Sequence, residues 1–176
     1  MIGFRNTDLD IPYFWEDDAQ PAQRWHGSGE GPAQYLSTTP DASWAEFCRH
    51  QEIREPMDLA GVERAMWVVE FDDDRETFGE PKLPSPITVG DLSSYPACQE
   101  AARRIRATGS TALVTQSAAV IRESDSGWRV DGGLRRGSPR PELTLVLFGQ
   151  RPNAVAWHSC APGRPDASLL ERVRYF

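Results

Sequence analysis

The sequence predicts an α+β fold, organised as a single domain over residues 1–176, and three observations carry that reading. Short apolar or β-branched runs of strand length recur along the chain, two stretches place apolar residues at helical spacing, and neither a repeat nor a long linker divides the 176 residues. A chain of this length suits one domain and buries about 70% of its unfolded surface, so it needs no disulfide or metal staple. The elements add up to about six to eight short strands with two or three helices.

Taken in order, Ile2–Asn6 is a short apolar run that reads as the first strand. The stretch from Asp8 to Gly31 is rich in Pro, Gly, Asp and aromatic residues, too irregular for a helix or a central strand. Gln34–Ser37 reads as a strand leading into a helix that begins near Asp41, where Pro40 and Asp41 supply start signals and Trp44, Phe47 and Cys48 recur at helical spacing. That helix runs to about His50, stopping before Pro56. Ala65–Phe71 is the clearest strand, and the acidic, proline-containing stretch from Asp72 to Pro86 is an exposed connection. Ser94–Ala107 reads as a second helix, capped by Ser93 or Ser94, with Arg103, Arg104 and Arg106 near the end where cations suit the dipole, and Gly109 closing it. Thr111–Thr115 and Leu143–Phe148 are buried strands, Val155–His158 is a shorter one, and Asp166–Arg174 forms a short final helix.

Composition excludes several classes. No apolar run approaches the ~18 residues of a membrane span, and the first ten residues lack the basic and apolar regions of a signal peptide. Cys48, Cys98 and Cys160 are widely spaced and odd in number, which argues against a disulfide framework and, with no C-x-x-C pair, against structural zinc. These features together predict a cytoplasmic location. Net charge of −7 disfavours nucleic acid as a ligand, because phosphate backbones are bound by clustered cations. The one basic stretch, Trp128–Arg140 with Arg129, Arg135, Arg136 and Arg140, reads as a solvated Gly/Pro/Arg loop.

Four places can carry chemistry. Arg24-Trp25-His26-Gly27 lies in a loop whose local sequence offers no cover for a guanidinium; Arg forks onto phosphate oxygens and Trp stacks on planar rings. The alternative is a surface Arg packed on a half-buried Trp. Tyr35 and Glu46 lie across a strand–turn–helix, with Glu46 set among Trp44, Ala45, Phe47 and Cys48. A carboxylate on an apolar face costs several kcal/mol unless compensated, which marks a site; the alternative is an exposed Glu paired to Arg49 or His50. Ser117 follows a strand in Thr-Gln-Ser-Ala-Ala, where it can donate to a ligand or cap a turn. No G-x-S-x-G or P-loop motif occurs, and His26, His50 and His158 lack metal-ligand spacing, so no metal is expected.

These residues in this order resemble the RES-domain family, named for its Arg, Glu and Ser. The first block runs from Arg24-Trp25-His26 through Tyr35-Leu36-Ser37-Thr38-Thr39-Pro40-Asp41 to Trp44-Ala45-Glu46, and is similar to the family's Arg-Trp, glycines, Tyr, then a helix carrying Glu. Gly109–Ala118 resembles its strand ending in Pro-Ser-Ala, Leu143–Phe148 the strand that follows, and Arg5 its N-terminal Arg. Gln116 stands where the family has Pro, Ala119 where Arg often stands, and Arg122–Glu142 forms a long insert. The resemblance implies a fold like that of ADP-ribosyltransferases, a split, mostly antiparallel β core around an NAD cleft. It implies an NAD-degrading activity, by hydrolysis or phosphorolysis, in the toxin of a toxin–antitoxin pair, with an antitoxin protein as partner and self-association left open. In that scheme Glu46 stabilises the ribosyl cation, Arg5 and Arg24 neutralise the pyrophosphate, Tyr35 with Trp25 stacks on the nicotinamide or ribose, and Ser117 bonds the ribose or the amide, with no metal. ADP-ribose transfer to another acceptor, and NAD or partner binding without turnover, are the competing readings.

Overall fold

A computed structural model describes residues 1–121, 127–139 and 141–176. The α+β expectation holds: a six-stranded, all-antiparallel sheet carries the helices, with strands β1 (Ile2–Thr7), β2 (Ala33–Ser37), β3 (Arg64–Glu70), β4 (Ala112–Gln116), β7 (Leu143–Phe148) and β8 (Val155–Gly163) in the order β4-β7-β2-β1-β3-β8. The central strands are buried on both faces, which explains their continuous apolar runs. Alternate residues of β7 point to opposite sides: Leu145 and Leu147 pack with Phe14, Phe71 and Phe78, whereas Val146 and Phe148 pack with Trp25, Cys98 and Ala102.

Two helices cover one end and one side of that sheet. Helix α1 (Pro40–His50) starts one residue earlier than its sequence signals, because Thr39 is the cap: its hydroxyl accepts the Ala42 amide at 3.1 Å, with Pro40 and Asp41 in the first turn. Its buried side, Ala42, Trp44, Ala45 and Cys48, packs with Met66, Val120, Leu169 and Val173. Helix α3 (Tyr95–Ala107) follows a one-turn helix, α2 (Ser85–Thr88), which begins at the end of the predicted exposed connection. Ser94 precedes α3 but makes no capping bond; its hydroxyl donates to the Asp91 carbonyl and accepts from Arg24. That hydroxyl serves a tertiary contact, which no local signal announces.

Three other expectations are corrected. The basic stretch is not a plain loop: β5 (Trp128–Val130) and β6 (Leu134–Arg136) form an exposed hairpin turned by Gly132 and Gly133, both at positive φ, while Arg140 and residues 122–126 of the predicted insert lie outside the described residues. Strand β8 runs five residues beyond the predicted His158, since its pairing to β3 continues past a register shift to Gly163. The C-terminal helix is a 3-10 turn over Ala167–Arg172, with Asp166 as its side-chain cap.

The feature that positions a site is a break in pairing. Strand β2 pairs with β7 at five positions and β1 with β3 at six, but β1 meets β2 only at Phe4–Ser37. Beyond that point the strands diverge, and the sheet splits. Gly3 lets the closed end come together, because a Cβ there would stand 2.8 Å from Leu36 Cβ. The Gly3→Ala protein is expected to lose about 1–3 kcal/mol in urea unfolding, the usual cost of forcing a methyl into a packed contact.

Candidate active site

A cavity of about 290 Å³ occupies the split. Its floor is β1 and β2, its walls α1 and the loop between β1 and β2, and its far side the start of α3 with Gln116 and Ala118. The loop is tied to the sheet by side chains that imitate a strand: the Gln20 amide bonds both the N–H and the carbonyl of Ala33, and Gln34 bonds both those of Trp15.

Four of the six residues predicted as site residues, Arg5, Arg24, Tyr35 and Glu46, bring side-chain chemistry to this cavity. Arg5 donates to Gln34 Oε1 at 2.9 Å, and no carboxylate pairs with it among the described residues. Burial pushes its pKa down to about 10, which marks a cation paid no compensation by an acid. Glu46 lines the cavity from α1, 27% exposed, with Oε1 accepting the Ser117 hydroxyl at 3.2 Å and Oε2 3.8 Å from His50 Nε2. It is therefore less sequestered than its apolar sequence neighbours imply: they turn into the core while it looks into the cavity. Tyr35 also lines the site, its phenol oxygen accepting the Trp25 amide at 2.9 Å and lying 3.1 Å from His26 Nδ1. Burial raises that phenol's pKa well above its ordinary value.

The surroundings of Arg24, Trp25 and Ser117 differ from what the local sequence offers. Arg24 lines the cavity but is not bare: its guanidinium donates to Gly90 O at 2.7 Å and Ser94 Oγ at 2.9 Å and lies 4.7 Å over the Tyr95 ring. The cover comes from a segment some seventy residues away, invisible to local sequence. Trp25 is 1% exposed, packed in the core with Ala33, Cys98 and Leu113, so its ring offers almost no face for stacking. Ser117 is buried behind Glu46: it donates to that carboxylate, accepts the Ala119 amide, and its own amide binds Glu142 O. Its hydroxyl serves Glu46 directly.

The sequence reading did not place Arg49, His50 or Tyr95 at the site, naming the first two only as alternative partners of Glu46; all three line the cavity. Arg49 follows Glu46 by one helical turn, a spacing that places both on one face and is the signal that could have found it. It is 1% exposed, yet it makes no ion pair among the described residues. Its guanidinium binds four carbonyls instead, those of Ala118, Arg174, Val89 and Gly90, and stacks 4.1 Å over Phe176. Burial lowers its pKa, partly offset by Glu46. Gln116 uses its amide to bind the hydroxyls of Ser85 and Thr88 at 2.7 and 2.9 Å, clamping α2 against β4. The cavity thus sets three guanidinium groups, Arg5, Arg24 and Arg49, against one carboxylate, in a chain of net charge −7. Such a field selects an anionic ligand.

Two outcomes follow from these contacts. Arg49→Gln is expected to destabilise the fold by about 3–5 kcal/mol, because several buried carbonyls lose a charged donor together; denaturant unfolding measures it, with Arg49→Lys recovering only part. His26 is fully buried with Nε2 unpartnered, and burial lowers its pKa, as it does for His50. Below pH 6.5 the unfolded chain takes protons that the folded one refuses, so stability falls, by up to about 1.4 kcal/mol per pH unit for the fully buried His26 and by less for the half-exposed His50. Thermal melts from pH 7.5 to 5 should show this decline, and His26→Gln should flatten it.

Among the described residues no cluster of His, Cys, Asp or Glu is arranged to hold a metal ion, and no helix is long and apolar enough to cross a membrane. A search of curated proteins finds no match. The RES domain, by contrast, matches residues 6–164, which takes in Arg24, Tyr35, Glu46 and Ser117. That span is most of the 176 residues, and the chain belongs to the RES-domain family, known from toxin–antitoxin systems and linked to NAD.

Proposed function

We propose that this protein cleaves the nicotinamide–ribose bond of NAD, and the observation that carries the proposal is the single Glu46 carboxylate facing a cavity otherwise charged by guanidinium groups. The cavity is at the small end of ligand pockets, which suits the nicotinamide riboside end of NAD with the adenosine reaching outward. Arg5, unpaired with any acid among the described residues, receives the pyrophosphate, and Arg24 joins it where its remaining N–H groups allow. Tyr35 supplies the flat surface beside the ribose.

The chemistry follows from charge. As the C1′–N bond breaks, nicotinamide takes the electron pair and leaves neutral, and the ribose acquires oxocarbenium character. A carboxylate fixed beside that carbon is worth more in the transition state than in the bound substrate, and so raises kcat. Ser117 is a positioning residue that holds Glu46 in place from behind. Water or phosphate then captures the cation. Family membership supports a role as the toxin of a toxin–antitoxin pair, acting in the cytoplasm with an antitoxin protein as its partner.

Nicotinamide release from NAD, with the ribosyl product identified, tests this. Glu46→Gln is expected to lower kcat on the order of 10²–10³ with KM little changed. Arg5→Met is expected to raise KM while its Tm rises by a few °C, since an uncompensated buried cation is removed. A folded wild-type protein that releases no nicotinamide, or a Glu46→Gln protein with normal kcat, overturns the proposal and leaves NAD or partner binding without turnover.

A further inference from the structure

We propose that His50 is the general base of hydrolysis at this site, taking the proton from the water that captures the ribosyl cation. The inference rests on the reading of the site as NAD-cleaving. The step balances simply: the water oxygen forms a bond to C1′ of the cation, one water proton passes to His50 Nε2, and the imidazolium later returns it to solvent. Nicotinamide has already left with its electron pair, so no acid is needed for departure. A base is needed for capture.

Elimination within the cavity points to His50. The titratable groups that line it are Arg5, Arg24, Tyr35, Glu46, Arg49, His50 and Tyr95. The three arginines are cations with no proton-accepting role, and both phenols are held protonated by burial. That leaves Glu46 and His50. Glu46 is occupied as the counter-charge of the cation, and protonating it at that moment would discard the stabilisation it provides. His50 stands one helical turn further along α1, its Nε2 3.8 Å from Glu46 Oε2, too far for a hydrogen bond that would consume its lone pair. Its side chain is 46% exposed, so it reaches both the cavity and the solvent that must carry the proton away.

The electrostatics fit the order of events. Burial and the nearby cations Arg49 on α1 and Arg24 on the loop favour neutral imidazole, while Glu46 favours imidazolium. From the other elements, Arg5 of β1 and Tyr95 of α3 share the cavity, and the C-terminal segment brings the Phe176 ring to 5.7 Å with Arg174 behind Arg49. Until water adds, Glu46 is committed to the ribosyl cation, and the ring stays neutral and basic. Once water has added, the ribosyl charge is gone, and Glu46 is released to stabilise the imidazolium beside it.

The test separates bond cleavage from capture. Protein and NAD are incubated with labelled nicotinamide, and hydrolysis is measured beside incorporation of label into NAD, which needs cleavage but no base. In His50→Ala the ratio of hydrolysis to exchange should fall at least tenfold, within the 10²–10⁴ typical of a lost general base. Azide, which attacks without losing a proton, should restore product formation. The wild-type ratio should also fall as pH drops through a value under 6.5, and that limb should vanish in the variant. In Glu46→Gln hydrolysis and exchange should fall together. An unchanged ratio in His50→Ala, or no gain from azide, overturns the role of His50 while leaving the cleavage reading intact. Absence of both hydrolysis and exchange in the wild type overturns both.

Discussion

A buried guanidinium that binds backbone carbonyls and makes no ion pair among the described residues holds this architecture together. Arg49 is sunk in α1, where an unpaired cation would ordinarily be expelled or neutralised. It stays because four carbonyls from three segments turn toward it: Val89 and Gly90 before α3, Ala118 after β4, and Arg174 near the C-terminal end. Each carbonyl dipole contributes modestly, but together they replace a hydration shell. The segments so gathered are those that wall the cavity, so the contact that keeps the cation buried also shapes the site.

The split in the sheet supplies the space that Arg49 helps to enclose. A continuous β1–β2 ladder would bring the strands to about 4.8 Å and leave no room for a ligand between them. Pairing at Phe4–Ser37 alone keeps the two halves in one sheet while letting them part toward Arg5 and Tyr35. Backbone groups freed by the parting are met by side chains, as Gln20 does for Ala33. Cavity formation and polar satisfaction are solved by the same loop.

Glu46 gains its character from what surrounds it in three dimensions. Ser117 fixes one oxygen, His50 stands off the other, and Arg49 on the next turn supports the negative charge. Gly90 O is shared by Arg24 and Arg49, so the two guanidinium groups on opposite walls are linked through one backbone atom. Gln116 clamps α2 to the end of β4, immediately before Ser117. That clamp holds the strand end from which Ser117 reaches Glu46.

The sequence by itself determined the α+β class, most strand and helix positions, the family, and the residues Arg5, Arg24, Tyr35, Glu46 and Ser117 as the ones to examine. These were legible because apolar periodicity is local and because Arg24, Tyr35 and Glu46 sit in one short block of chain. Only the tertiary structure decided what each touches. The cover over Arg24 comes from Gly90 and Ser94, the burial of Trp25 from packing against α3 and β4, and the direction of the Ser117 hydroxyl from its contact with α1. Arg49 was only partly readable: its spacing from Glu46 marks a shared helix face, but its hydrogen-bond partners are backbone carbonyls, which every residue possesses, so no side-chain pattern records them. Local chemistry is written in the sequence, whereas the desolvation and pairing that give a charge its function depend on residues brought together from far along the chain.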